Sequence, residues 1–144
     1  MDASDNKRTM AAVFAELERG NPAPFRDLLA EDCVWTMIGT TSWSGTYRGK
    51  SAILTRLLQP LRTQFADQYR NAASRIVAEG DVVVIECRGQ VTTKAGTPYH
   101  NTYCWVCRME GGLVKELTEY MDTELVARVL EPPPAGAGAA AAAG

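Results

Sequence analysis

The segment that decides the fold is residues 99–123, which read YHNTYCWVCRMEGGLVKELTEYMDT. Two runs of alternating polar and apolar residues flank the glycine turn signal at 110–112, so the segment predicts a long β-hairpin. Side chains alternate across a strand, and each strand therefore has one face that mixes polar with apolar residues. These faces consist of Asn101, Tyr103 and Trp105 on the first strand and of Leu117, Glu119 and Met121 on the second.

The polar side chains on these two faces are the candidate functional residues. An amide, a phenol and a carboxylate cost free energy when they are buried without partners, so they either satisfy one another or line a cavity. Glu119 is expected to point inward, where desolvation raises the pKa of a carboxyl toward the range useful for proton transfer. The alternatives are a structural ion pair for Glu119 and internal hydrogen bonds for Tyr103 and Asn101.

The sequence does not decide whether the polar face of the strand at 82–91 points into the domain or outward. Glu86, Arg88 and Gln90 alternate with apolar residues and therefore share one face. We favour an outward face, which would leave these residues solvated or at a dimer interface. With an inward face, Arg88 would contact substrate and hold Glu119 in a bidentate pair.

The remainder of the chain predicts an α+β domain over residues 1–131. Three N-terminal helices are expected to cover the concave side of a cone-shaped, strongly curved antiparallel sheet. The predicted helices lie at about 5–19, 21–30, from Lys50 past Pro60, and 123–131; the strands lie at 33–38, 69–78, 82–91, 99–109 and 113–121, and residues 39–49 form a loop. Residues 132–144 are Pro, Ala and Gly only, which predicts a disordered tail.

Composition excludes several classes of function. The 144 residues carry 15 Lys and Arg against 17 Asp and Glu with no dense basic block, so we expect no nucleic-acid or membrane partner. We expect a cytoplasmic protein, because no leader or apolar run of membrane-spanning length is visible. Cys104 and Cys107 are three apart on a strand and point to opposite faces, and His100 is the single histidine, so no metal site is expected. Nothing resembles a phosphate-binding glycine loop, and no cofactor is implied.

The order of elements, together with YRGKSAI at 47–53, YHNTY at 99–103 and EYMDT at 119–123, resembles a known family. Residues 8–130 are similar to the SnoaL-like, ketosteroid-isomerase-related branch of the nuclear transport factor 2-like superfamily. The resemblance implies a cone-shaped fold, a pocket for a small hydrophobic molecule, and a homodimer formed through the outer sheet face. The superfamily includes isomerases, polyketide cyclases, epoxide hydrolases and non-catalytic subunits, so the fold alone does not give the function.

Comparison within the superfamily places the proton-transfer residue at Glu119. The first strand offers Thr36 and Met37 where the isomerases would have their carboxylate base, and Asn101 stands near the position of their oxyanion-hole acid. The water-activating carboxylate of limonene-epoxide hydrolases would fall on Glu119, and a polyketide cyclase could use the same residue.

The sequence therefore predicts a small-molecule pocket, with acid/base catalysis of the isomerase, cyclase or hydrolase type on a polyketide, steroid or terpenoid. Glu119, Tyr103 and Asn101 are the predicted catalytic residues. The predicted substrate-binding residues are Trp35, Tyr47, Arg88, Trp105, Leu117 and Met121. The alternatives are a non-catalytic dimeric ligand-binding domain and a protein-interaction module that uses the outer sheet face.

Overall fold

A computed structural model describes residues 1–139. The helices are α1 (Ala3–Glu18), α2 (Ala23–Leu28), α3 (Lys50–Ala52), α4 (Gln59–Arg62) and α5 (Thr123–Val129), and a π-helical segment at Ile53–Leu58 joins α3 to α4. The strands are β1 (Leu29–Met37), β2 (Gly45–Arg48), β3 (Arg70–Glu79), β4 (Val82–Gln90), β5 (Thr102–Glu110) and β6 (Leu113–Met121).

The strands form one curved, unclosed sheet in the order β2-β1-β6-β5-β4-β3. Tight glycine turns join β3 to β4 and β5 to β6, and these neighbours are antiparallel as predicted. The N-terminal helices lie on the concave face, and the predicted α+β architecture is confirmed. The sheet is mostly rather than wholly antiparallel, because β1 pairs with β6 in parallel.

Two features of the sheet were not predicted. The segment expected to be a loop at 39–49 contains β2, which pairs with β1 through Tyr47 opposite Trp35. The predicted strand at 33–38 begins earlier, at Leu29, and its pairing with β6 is interrupted between Leu29 and Val34. The pairing of β1 with β6 joins segments that are distant in the sequence, and such a contact leaves no local periodicity.

Local sequence explains where two helices begin. Asp2 and Asp5 form a capping box at the start of α1, in which each carboxylate accepts a hydrogen bond from the other residue's backbone N–H. The helix therefore begins nearer the N-terminus than predicted. Asp122 caps α5 by accepting a hydrogen bond from the backbone N–H of Leu125 at 3.2 Å.

The core lies between α1 and the inner face of the sheet. The apolar stripe of α1 is buried, and α1 packs against β3 and β4. This stripe consists of Met10, Val13, Phe14 and Leu17. The remaining helices, α2 and the segment 50–62, cover the other half of the concave face and leave a cavity beneath them.

Part of the segment predicted to be a tail contacts the domain. Arg56 Nη1 donates a hydrogen bond to the carbonyl of Gly136 at 2.7 Å, and Ala139 is buried. Residues 140–144 lie outside the described residues, and for them the disordered tail stays a prediction. In the described part of the chain, no helix has both the length and the apolar character needed to cross a membrane.

Candidate active site

A cavity of about 220 Å³ lies between the concave face of the sheet and the helices α2 and α4 with the π-helical segment. Most of its wall is apolar, as is usual for small-molecule sites. The apolar wall includes Phe25, Met37, Leu57, Leu58, Leu61 and Phe65. Charged side chains lie at its exposed end, and a single carboxylate, that of Glu119, lies among the aromatic residues on the sheet.

Glu119 is held between two tryptophans from the neighbouring strands. Trp105 lies opposite it on β5, and Met37 opposite it on β1, two residues after Trp35. Trp35 Nε1 donates to Glu119 Oε1 at 3.3 Å and Trp105 Nε1 donates to Oε2 at 3.0 Å. Only 7% of Glu119 is exposed, so the prediction that it points inward is confirmed.

Burial raises the pKa of Glu119 from its ordinary value of 4.5 to about 7, and the hydrogen bonds from Trp105 and Trp35 oppose part of that shift. None of the ion pairs among residues 1–139 involves Glu119, so the alternative of a structural ion pair does not apply. Both protonation states are therefore populated near neutral pH. Because an indole N–H only donates, the hydrogen of the protonated acid has no acceptor in either tryptophan and is free for a ligand.

Three phenols line the same cavity, on Tyr69, Tyr99 and Tyr103. The hydroxyl of Tyr99 accepts from Asn101 Nδ2 at 3.0 Å, and that of Tyr69 lies 3.4 Å from Asn71 Nδ2. Burial raises the pKa of Tyr99 to about 12 and those of Tyr69 and Tyr103 well above 10. The phenols are therefore neutral at physiological pH and can donate hydrogen bonds to a ligand oxygen.

Gly89 on β4 allows two of these phenols to lie against the sheet. A Cβ atom at this position would lie 2.8 Å from the hydroxyl oxygen of Tyr69 and 3.1 Å from a ring carbon of Tyr103. The close approach of both rings therefore requires a residue without a side chain.

Four of the sequence-predicted site residues meet at the cavity: Glu119, Tyr103, Trp35 and Trp105. Leu117 and Met121 share the inner face of β6 with Glu119 but do not line the cavity. Leu117 is fully buried in the core, and Met121 is half-buried beside Tyr103. Alternation along the strand gives the face of a residue and does not give its distance from the cavity.

The other predicted site residues lie elsewhere, which corrects their expected contacts. Both groups of the Asn101 amide are engaged, with Tyr99 and with the backbone of Asp122, so Asn101 orients a phenol instead of facing the cavity. The Tyr47 hydroxyl donates to the carbonyl of Trp43 at 2.6 Å, away from the cavity. Arg88 is exposed on the outer face of β4, as the favoured interpretation of that strand had it, and cannot reach Glu119.

Several cavity residues were missed at the sequence level. Tyr69 and Tyr99 are the first residues of the predicted strands 69–78 and 99–109, although β3 and β5 begin after them in the structure. Tyr99 has the same parity as Asn101 and Tyr103, and Tyr69 the same as the buried Asn71, so alternation along the predicted strands would have indicated both. Arg26 and Arg62 also line the cavity, from α2 and α4. No sequence signal marks them, because their position depends on how the helices dock on the sheet.

The chain matches known proteins in both sequence and fold. The model of the SnoaL-like domain matches residues 10–117. No curated protein matches the chain. An NTF2-like protein from Burkholderia thailandensis has the same fold with a TM-score of 0.74 at 24% identity, over 88% of this chain and 98% of that one.

Two further structures share the fold at lower identity. A putative SnoaL-like polyketide cyclase from Jannaschia sp. superposes with a TM-score of 0.73 at 15% identity, covering 92% of this chain and 95% of that one. An LEH-like epoxide hydrolase from M. tuberculosis gives a TM-score of 0.67 at 19% identity, covering 85% and 86%. The family model covers most of the described domain. The chain belongs to the SnoaL-like domain family, and it has the fold of an NTF2-like protein.

Proposed function

We propose that the protein binds a hydrophobic, oxygenated small molecule in the cavity and moves a proton on it, with Glu119 as the acid/base residue. One observation carries this proposal: the only carboxylate deep in the described cavity has a pKa of about 7 and is bonded by groups that can only donate. An acid/base catalyst is most effective when its pKa lies near the working pH. The two indoles also fix the orientation of the carboxylate, which favours transfer along one direction.

The three phenols support a reaction at a carbon next to a carbonyl. Removal of a proton from such a carbon places negative charge on the carbonyl oxygen, and neutral hydrogen-bond donors stabilise that charge. Tyr103 and Tyr69 would supply these donors, since both remain protonated at neutral pH. The reaction class would then be an isomerisation or a cyclisation through an enolate.

A hydrolase of the epoxide type is less well supported. The sequence left open an inward face for the strand at 82–91, on which Arg88 would pair with Glu119. In the structure Arg88 and Glu86 lie on the outer face of β4, and Glu86 pairs there with Arg75. The second acid on the cavity wall, Asp67, is at its exposed end and accepts a hydrogen bond from the backbone of Thr92.

Deuterium exchange tests the proposal without knowledge of the natural substrate. The protein is incubated in D₂O with 1-tetralone, a hydrophobic ketone, and incorporation at the carbon next to the carbonyl is followed by NMR. We expect exchange above the buffer rate, a fall to the buffer rate in Glu119→Gln, and a fall of about 100-fold in Tyr103→Phe. Arg88→Gln, on the outer face, serves as the control and should exchange at the wild-type rate.

The outcomes separate catalysis from binding. Exchange that persists in Glu119→Gln would refute the role of Glu119. If the wild-type protein binds 1-tetralone by calorimetry but does not accelerate exchange, the non-catalytic ligand-binding alternative is supported instead.

A further inference from the structure

Two arginines from different helices lie at the exposed end of the cavity. Arg26 lies on α2 and Arg62 on α4, and both contribute to the cavity wall. Arg26 is half-buried, whereas Arg62 is exposed. The two helices lie on the concave side of the sheet, so docking brings the guanidinium groups to the same opening.

Among the described residues, neither arginine has an acidic partner. The ion pairs formed by residues 1–139 do not include Arg26 or Arg62. Partial burial and, to a smaller extent, the positive charge of Arg62 lower the pKa of Arg26. The one acid at this end, Asp67, hydrogen-bonds the backbone N–H of Thr92 at 2.9 Å.

Two unpaired guanidinium groups at the mouth of an apolar cavity are suited to an anion. A guanidinium presents parallel N–H donors that match the two oxygens of a carboxylate, and such charge-assisted bonds are stronger than neutral ones. Between the arginines and Glu119 the wall is apolar and aromatic, including Phe25, Leu61 and Phe65. The cavity thus has a cationic end, an apolar middle and a proton-transfer group at the base.

We propose that the ligand is an amphipathic carboxylic acid whose carboxylate is held by Arg26 and Arg62 while its apolar body extends toward Glu119. This inference rests on the proposed function, because it takes the same cavity as the substrate site. It adds a substrate class: a hydrophobic molecule with an anionic group at the end remote from the reacting carbon.

Calorimetry with a matched pair of probes tests this assignment. The ligands 2-naphthoate and 2-naphthamide have nearly the same shape, and only the first is charged. At low ionic strength and pH 8 we expect the wild-type protein to bind the naphthoate at least tenfold more tightly than the naphthamide. The preference should fall in Arg26→Gln and in Arg62→Gln, and the ratio should approach one in the double variant.

The naphthamide serves as the internal control, because its unchanged affinity shows that the cavity of each variant is intact. Arg88→Gln removes an arginine from the outer face and should keep the full preference. Equal binding of the two probes by the wild-type protein, or a preference that survives in the double variant, overturns the inference.

The test also separates this inference from the proposed function. Glu119→Gln should retain the preference for naphthoate although it loses the exchange of 1-tetralone. If the preference is absent while exchange still depends on Glu119, only the carboxylate assignment fails. If neither naphthalene probe binds, the carboxylate assignment fails, and exchange of 1-tetralone alone decides the proposed function.

Discussion

Glu119 is unusual among the acidic residues of this protein because both of its oxygens accept hydrogen bonds while no cation balances its charge. The sequence was sufficient to find it. Glu119 is two residues from both Leu117 and Met121 on the predicted strand, so its side chain shares their inward face. Its two tryptophan partners were predicted to be substrate-binding residues, and their role as hydrogen-bond donors to Glu119 was not predicted. A donor role depends on the position of the indole N–H, which alternation does not define.

The raised pKa of Glu119 predicts a specific dependence of stability on pH. The folded protein holds this proton up to about pH 7, whereas the unfolded chain releases it near pH 4.5. Stability from this residue is therefore full below about pH 4.5 and is lost as the pH rises through 7, at a cost of about 3 kcal/mol. Urea unfolding at pH 4 and pH 8 measures this loss.

Glu119→Gln supplies the control for this measurement, since it has no proton to release. The wild-type protein should lose about 3 kcal/mol more than the variant between the two pH values. Equal losses in the two proteins would show that Glu119 titrates at its ordinary pKa.

At the scale of elements, the two hairpins were predicted from the sequence. The pairing of β1 with β6 and the π-helical segment were not. Glycine turns at Gly80 and Gly111 fixed the pairing of β3 with β4 and of β5 with β6. The parallel pairing of β1 with β6 and the π-helical segment Ile53–Leu58 have no comparable local signal. That segment places Leu57 and Leu58 on the cavity wall, so helix docking decides much of the site.

The contact of β4 with the phenols gives a second prediction. In Gly89→Ala the new methyl group would collide with the Tyr69 hydroxyl and the Tyr103 ring, so both phenols must move. We expect the exchange rate of 1-tetralone to fall about tenfold or more, because misplaced donors lose much of their effect on the developing charge. Arg88→Ala, the neighbouring position on the outer face of β4, is the control and should leave the rate unchanged. An unchanged rate in Gly89→Ala would show that these phenols take no part.

At the scale of the whole molecule, the outer face of the sheet has an uncharged row that crosses four strands. Strand pairing aligns its members, and each lies opposite the next. The row consists of Val77, Val84, Val106 and Thr118. Val77 is 49% exposed, although valine favours burial. The row is consistent with the homodimer that the sequence predicted, which stays a prediction.

A lysine in the centre of this row tests the homodimer. We expect sedimentation equilibrium to give the mass of two chains for the wild-type protein and of one chain for Val106→Lys, since an interface cannot bury an unpaired charge without a large cost. Thr97→Lys, on an exposed turn outside the row, should keep the wild-type mass. A wild-type protein with the mass of one chain would exclude the dimer.

Because Trp35 and Trp105 both donate hydrogen bonds to the Glu119 carboxylate, their intrinsic fluorescence reports on the cavity. Indole emission responds to a charge beside the ring nitrogen, so the spectrum of these two residues follows the ionisation of Glu119 and the entry of any molecule beside it. The third tryptophan, Trp43, is buried and donates to the carbonyl of Glu131, and contributes a constant background. Ligand binding in the cavity can therefore be followed by the tryptophan fluorescence of the unlabelled protein.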